Sequence, residues 1–335
     1  MVNRIGVLGL GAVGARVARQ ILATHQTSEV VLFDEDRSQL QGVARALGPK
    51  ASVVSRGDIV DQGIELLVVA TPCGRHLAPV RRALAAGIPA ISTSDRLEDV
   101  EALVGLDGVA KRAGTSLVAG ACFAPGMTCV LAAYLGRRFD VVDEVHVAKQ
   151  GTGGPACARQ HHRALSSAAR DWRDGGWIRR AGGSGRELVW FPEPVGGCDC
   201  YRAALPDAWL LRPAFPDAKR LTARMAATRQ DRFTSWLPML SPPHAEGGVG
   251  AIRVEIRGRQ AEQRVTQVVG AVERPAVATA AVVAATAEAL VDGWGPPPGA
   301  RGLAVGIDST RFLRALADRG LHAEEFAGLD DTLLS

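Results

Sequence analysis

Six cysteines in 335 residues are too few to staple a disulfide scaffold. Like charges never run five or six in a row, and 39 Lys+Arg against 35 Asp+Glu leave a net charge of only +4. That balance gives no argument for nucleic acid or a membrane surface as partner. Long apolar runs are missing too. The stretch Ala276–Val291 is alanine-rich, interrupted by two Thr and by Glu288, and short for a bilayer span. Met1–Gly14 is mostly apolar, but the spaced glycines Gly9, Gly11 and Gly14 break it and no small-residue cleavage site follows, so no secretory signal is expected. These absences point to a soluble, cytoplasmic, small-molecule protein in a reducing compartment.

What is present is an alternation of short β-branched runs with helical patterns. Strands are expected at Arg4–Leu8, Val30–Phe33, Ser52–Ser55, Leu66–Ala70, Ala90–Ser92 and Ser116–Val118. Helices are expected at Val13–Ala23, Ser38–Leu47, Leu77–Ala86 and Leu97–Ala113. Such alternation builds a parallel sheet with helices on both faces. Beyond Tyr134 the pattern changes. Val141–Lys149 reads as an alternating strand, Arg159–Arg173 as helical, and Gly250–Arg259 with Arg264–Val272 as an antiparallel hairpin. Pro275–Val291 and Thr310–Arg319 are helical again, with a loop over Gly293–Gly299.

Gly9-Leu10-Gly11-Ala12-Val13-Gly14 matches G-x-G-x-x-G between a predicted strand and a predicted helix, and Asp34 ends the next strand twenty residues after Gly14. In that context the motif is the fingerprint of a dinucleotide site. Gly9 permits the tight turn, Gly11 lets backbone approach a pyrophosphate, and Gly14 lets the helix pack on the strand. The helix N-terminus offers free N–H groups to phosphate. Asp34 would bind the adenosine ribose and repel a 2′-phosphate, favouring NAD, while nearby Arg37 leaves NADP open. Thr71, Pro72 and Ser92 follow strands into the same cleft. His76 is expected to be a satisfied ring at a helix start.

Gly120-Ala121-Cys122-Phe123-Ala124-Pro125-Gly126-Met127, preceded by Ala110–Gly120, resembles the saccharopine dehydrogenase-like family. Leu84–Ser92, Phe191-Pro192-Glu193-Pro194 and Phe312–Phe326 extend the resemblance over the whole chain, loosely over residues 150–270. The Pro-Gly element also occurs in amine dehydrogenases and diaminopentanoate dehydrogenases. Where the family carries an acidic motif after the fifth strand, this chain has Ser92-Thr93-Ser94-Asp95. The resemblance implies a Rossmann-type parallel-sheet domain formed by residues 1–127 plus 275–335. Residues 128–274 would be an inserted α+β domain on a mostly antiparallel sheet, serving substrate binding and dimerisation. It also implies hydride transfer at an imine or amine carbon of an amino-acid-like substrate, Pro125-Gly126 near the nicotinamide, and a homodimer.

Candidates for the proton donor are Lys149, His146 and His161, all in or just after the strand at 141–149. A lysine at a cleft-facing strand end can be desolvated and its proton affinity tuned. Arg159 and Arg163, one helical turn apart, suit a substrate carboxylate, and His162 and Tyr201 are further substrate candidates. Cys198-Asp199-Cys200 lacks a second ligand pair at metal spacing, so no metal is expected. Trp172, Trp177, Trp190, Trp209 and Trp236 crowd the middle segment, as a core or as a pocket lining. Two other readings stay open: a dinucleotide-binding scaffold or sensor without turnover, and a carbonyl or alcohol oxidoreductase.

Overall fold

The structure, a computed structural model, describes residues 4–23, 27–239 and 242–326. The outermost parts of the expected first domain, 1–3 and 327–335, lie outside the described residues. Among the described residues the strands form two sheets.

The first sheet is parallel. Its strands are β1 (Arg4–Leu8), β2 (Glu29–Phe33), β3 (Ala51–Val53), β4 (Leu66–Val69), β5 (Ala90–Ser92) and β6 (Ser116–Ala119). Between them run α1 (Gly14–Leu22), α2 (Arg37–Leu47), α3 (Leu77–Ala85), α4 (Leu97–Val104) and α5 (Asp107–Arg112). All residues of β4, β5 and β6 are buried. Helices cover both faces, so these strands read as continuous apolar runs instead of alternating. The expected single helix over Leu97–Ala113 is two: Gly105 caps α4, and α5 restarts at Asp107.

The chain then leaves through α6 (Met127–Gly136) for a second sheet. This sheet holds β7 (Val141–Gln150), β8 (Ala169–Arg173), β9 (Gly176–Arg180), β10 (Glu187–Trp190) and β11 (Gly197–Arg202). β12 (Arg220–Ala226), β13 (Gly250–Gln260) and β14 (Gln263–Glu273) complete its main body, with α7 (Pro155–Ser166), α8 (Asp207–Leu211) and α9 (Arg229–Thr234) in the connections. The order is β10-β11-β12-β7-β13-β14, with β8 branching from β12 and pairing β9. Most pairs are antiparallel, but β12 runs parallel to β7, so the sheet is mixed. The helix expected at Arg159–Arg173 starts earlier, with Pro155 in its first turn, and stops at Ser166. Residues 169–173 instead form β8, turned back onto β9 by Asp174-Gly175, both at positive φ.

From β14 the chain returns through α10 (Pro275–Val291) to β15 (Gly299–Arg301), which adds beside β6 in the first sheet. α11 (Ser309–Ala317) follows, and the short β16 (Glu324–Glu325) pairs β14. α10 is apolar on nearly every side and is buried almost throughout, packed on α1 and α11. One apolar cluster runs from Val7 and Val17 through Val130 and Val282 to Val145 and Val254. The two sheets therefore share a core, and the cleft between them is held open by packed helices.

Candidate active site

The glycine loop leaves β1 at the C-terminal edge of the first sheet. Gly9 has φ +89, and a Cβ on it would meet the Ala70 and Thr71 backbone at 2.8 Å. A Cβ on Gly14 would collide with the Gly9 carbonyl, whereas one on Gly11 would meet nothing within 4 Å. Two glycines thus serve the turn and the helix contact, and the middle one leaves its space to the cleft. Asp34, at the end of β2, clamps this loop: one oxygen accepts from the Leu10 amide at 2.6 Å, the other from the Asp36 amide at 2.8 Å.

A cavity of about 870 Å³ runs from this loop toward the second sheet. Gly9, Gly11, Ala12, Val13, Asp34, Thr71 and Pro72 line it as expected, joined at the acidic end by Glu35 and Asp36. Arg37 does not line it. As the first residue of α2 it is exposed, and the cations at that end are Arg75, paired with Glu35 at 2.7 Å, and Arg82, paired with Asp58 at 3.2 Å. Ser92 also lies behind the wall, where its hydroxyl meets His76 Nδ1 at 2.9 Å and Thr93 takes its place in the cleft. His76 is satisfied on both sides, with Nε2 2.8 Å from the Thr71 carbonyl. Pro125 and Gly126 back the wall while Cys122, Phe123 and Ala124 face the cavity. A Cβ on Gly126 would strike the Cys122 backbone, which folds this turn on itself.

At the inner end three ionisable groups meet. Lys149, the penultimate residue of strand β7, is 97% buried. Its Nζ lies 2.8 Å from His161 Nε2, 3.2 Å from the Ala124 carbonyl and 3.6 Å from Asp95 Oδ2. His161 Nε2 is 2.7 Å from the same Asp95 oxygen. Burial pushes the Asp95 carboxyl up, but Lys149 and His161 outweigh it and hold it well below the usual carboxylate range. Burial pulls Lys149 down, yet Asp95 and Asp207 raise it above an ordinary lysine. Burial and the Lys149 charge keep His161 below an ordinary histidine, hence neutral at pH 7. One imidazole nitrogen thus faces both an ammonium and a carboxylate, and it can accept from the first or donate to the second. The proton therefore rests on Lys149, with a neutral imidazole and an ionised carboxylate beside it.

Cys73 and Cys157 also contact Asp95, at 3.4 and 3.5 Å. Burial, then the Asp95 charge, pushes the Cys73 thiol up to about 12 and raises Cys157 and Cys122 likewise, so all three are thiols at pH 7. Ligand-type atoms of Asp95, Cys157 and His161 lie within 4.8 Å of one another. The Lys149 ammonium already supplies the positive charge beside them, and the thiol is protonated, so the cluster is a hydrogen-bonded hub and a poor cation site.

The other expected groups fall elsewhere. His146 is three residues from Lys149 on β7 and so points to the opposite sheet face, bonded to Thr222 and Glu144 at 2.8 Å each. His162 is turned to the Thr234 and Leu237 carbonyls at 3.1 Å and ties α7 to α9. Arg163 is exposed outside the cleft. Tyr201 is packed among Leu165, Leu205 and Met225, with Arg232 5.4 Å over its ring. Of the substrate candidates only Arg159 lines the cavity, and no carboxylate pairs with it among the described residues. The tryptophans do not fill the cleft: Trp172, Trp177 and Trp209 stack together, while Trp190 and Trp236 are exposed. Asp95 carried a usable signal, since it follows β5 at the ligand-bearing edge of a parallel sheet. Cys157 and His161, four apart on α7, share a helix face. Buried Asp207, which accepts from Thr128 at 2.7 Å, gave none.

Residues 3–93 match the model of the GFO/IDH/MocA oxidoreductase family, defined by its NAD-binding Rossmann fold. This segment is an NAD-binding Rossmann domain. No curated protein sequence matches the chain. Among solved structures, apo saccharopine dehydrogenase (L-Glu forming) from Saccharomyces cerevisiae aligns at TM-score 0.69 and 14% identity, covering 97% of this chain and 100% of that one. A probable dehydrogenase from Thermotoga maritima aligns at TM-score 0.50 and 12% identity, covering 95% and 94%. At these identities the likeness is one of fold: a parallel Rossmann-type sheet joined to a second, mixed-sheet domain. No described helix is long and apolar enough to cross a membrane.

Proposed function

We propose that the protein is an NAD-dependent dehydrogenase or reductase acting on the C–N bond of a small, amino-acid-like substrate. The observation that carries the oxidoreductase part of this reading is the Lys149–His161–Asp95 hub, which opens into the same cavity as the glycine loop, while the C–N bond rests on the resemblance of the Gly120–Met127 element. The residues fit the cofactor: Gly11 leaves open space beside the N-terminus of α1 for a pyrophosphate, and Asp34, Glu35 and Asp36 would receive the ribose and repel a 2′-phosphate. Thr71, Pro72 and Cys122–Ala124 would flank the ring end. NAD, when bound, supplies or accepts a hydride at its nicotinamide ring.

The protein's part is position and proton. Lys149 holds a proton at Nζ and can give it to the nitrogen of a reacting amine or imine. His161, neutral, orients the Lys149 ammonium through Nε2, Nζ regains its proton from solvent after each turnover, and Asp95 keeps the ammonium from being an uncompensated charge. Arg159, at the same cavity, would take the substrate carboxylate. Leu188 and Trp190, 60% and 61% exposed on edge strand β10, support the homodimer reading.

The test is NADH oxidation over a panel of 2-oxo acids with and without amines. Turnover that needs both partners supports the C–N reading. Turnover of the carbonyl compounds alone, with no amine present, would replace it by carbonyl reduction, for which the Lys149 ammonium is an equally competent donor.

A further inference from the structure

A second cavity, of about 380 Å³, lies away from the cofactor cleft, where α5 and β15 of the first sheet face β9 and α8 of the second. None of its lining residues is shared with the first cavity. Trp177 and Trp209 form one wall, their rings 5.1 Å apart and tilted by 32°. Leu210 and Val305 make the apolar floor. Neither indole N–H has an acceptor among the described residues. The charges at the rim are unbalanced. Lys111 is paired with Asp107 at 2.6 Å and Arg301 lies beside the same carboxylate, so one carboxylate faces two cations, while Arg212 has only the Phe215 carbonyl among the described residues. Arg212 is held in place by stacking 4.1 Å over Trp172.

An aromatic wall, an apolar floor and three cations facing a single carboxylate make a complementary surface for one class of molecule. We propose that this cavity is a second ligand site, for a flat aromatic carboxylate, with the ring against Trp177 and Trp209 and the carboxylate between Arg212 and Arg301. The volume suits one or two fused rings. Ring stacking and charge-assisted hydrogen bonds would share the affinity.

The site touches the machinery of the cleft through α8. Leu210 lies against Gly120 and Gly302, where an added Cβ would meet it at 3.0 Å. Gly120 opens the turn whose Ala124 carbonyl holds Lys149, and Asp207, at the start of α8, holds Thr128 at its far end. α8 thus links the proposed site to the turn that seats the lysine.

The experiment is calorimetric titration of the full chain, saturated with NADH, with 2-naphthoate and with its neutral analogue 2-naphthylmethanol. Binding of one naphthoate per chain is expected, with the alcohol at least tenfold weaker. Arg212→Gln and Arg301→Gln should each weaken naphthoate about tenfold and leave NADH affinity unchanged. Equal affinity for acid and alcohol, indifference to both substitutions, displacement by NADH, or no heat up to millimolar naphthoate would each overturn the proposal. An oligomer that Trp209→Arg dissociates, together with absent naphthoate binding, would assign the surface to a second copy of the chain and overturn it as well. The readout is binding alone, so it stands apart from whether the cleft turns over an amine.

Discussion

Asp95→Asn probes the hub most sharply. The amide keeps the volume and removes the charge that Lys149 and His161 face at 3.6 and 2.7 Å. The lysine ammonium is left buried with the Ala124 carbonyl and a neutral imidazole. Removing one partner of a buried ion pair costs about 3–5 kcal/mol, most of it the orphaned charge. Lys149→Met in the same chain removes that orphan. The double variant should therefore be more stable than the sum of the two losses predicts, with a coupling of about 1–3 kcal/mol. Urea unfolding of wild type, both single variants and the double at pH 7 measures this. Losses that add within about 0.5 kcal/mol would refute the hub as a coupled unit. The pH dependence has a definite sign. The Asp95 pKa is depressed in the fold, so its stabilisation is complete above the unfolded value of about 3.9 and is lost as pH falls toward the folded one. Lys149 is raised, so its share is complete below about 10.4 and is lost as pH climbs through its folded value. The gap between wild type and Asp95→Asn should stay wide between those limits and close outside them.

Gly11→Ala should fold normally, since its Cβ meets nothing, yet weaken NADH at least tenfold by narrowing the pyrophosphate approach; equilibrium unfolding beside a fluorescence titration separates the two. Gly9→Ala forces an L-residue to φ +89 against the Ala70 backbone and should cost about 1–2 kcal/mol or more in the same unfolding assay. Arg37→Ala should leave the NADH-to-NADPH preference within twofold of wild type, because that side chain does not reach the cleft; a larger change in the titration would restore it as the ribose determinant. Trp190→Glu on the exposed face of β10 should convert a dimer to monomer in sedimentation, and an unchanged mass would move the interface elsewhere.

Much of the first domain is legible because its signals are local. The G-x-G-x-x-G turn, uniformly apolar β4 and the glycine-capped helices each announce themselves within ten residues. Local signals also failed where two patterns overlap. The helical pattern runs on past Ser166 because Ala-rich and Arg-rich segments fit either state, and only the Asp174-Gly175 pair marks the hairpin that ends it. On β7 strand parity separates His146 from Lys149, three residues away, so only the lysine reaches the cleft. The hub itself is non-local. Asp95 reaches His161 across 66 positions and Thr128 reaches Asp207 across 79. No spacing rule joins a loop after β5, a strand end and a helix in the second domain; packing around α6 and α10 does.

The most direct test of the account is titration of the purified protein with NADH and NADPH, followed by nicotinamide fluorescence, in wild type and Asp34→Ala. Because Asp34 both clamps the Leu10 amide and faces the ribose end, the account predicts saturable NADH binding, weaker NADPH binding, and at least a tenfold loss of NADH affinity in the variant. Binding of neither nucleotide, or NADH affinity indifferent to Asp34, would contradict it.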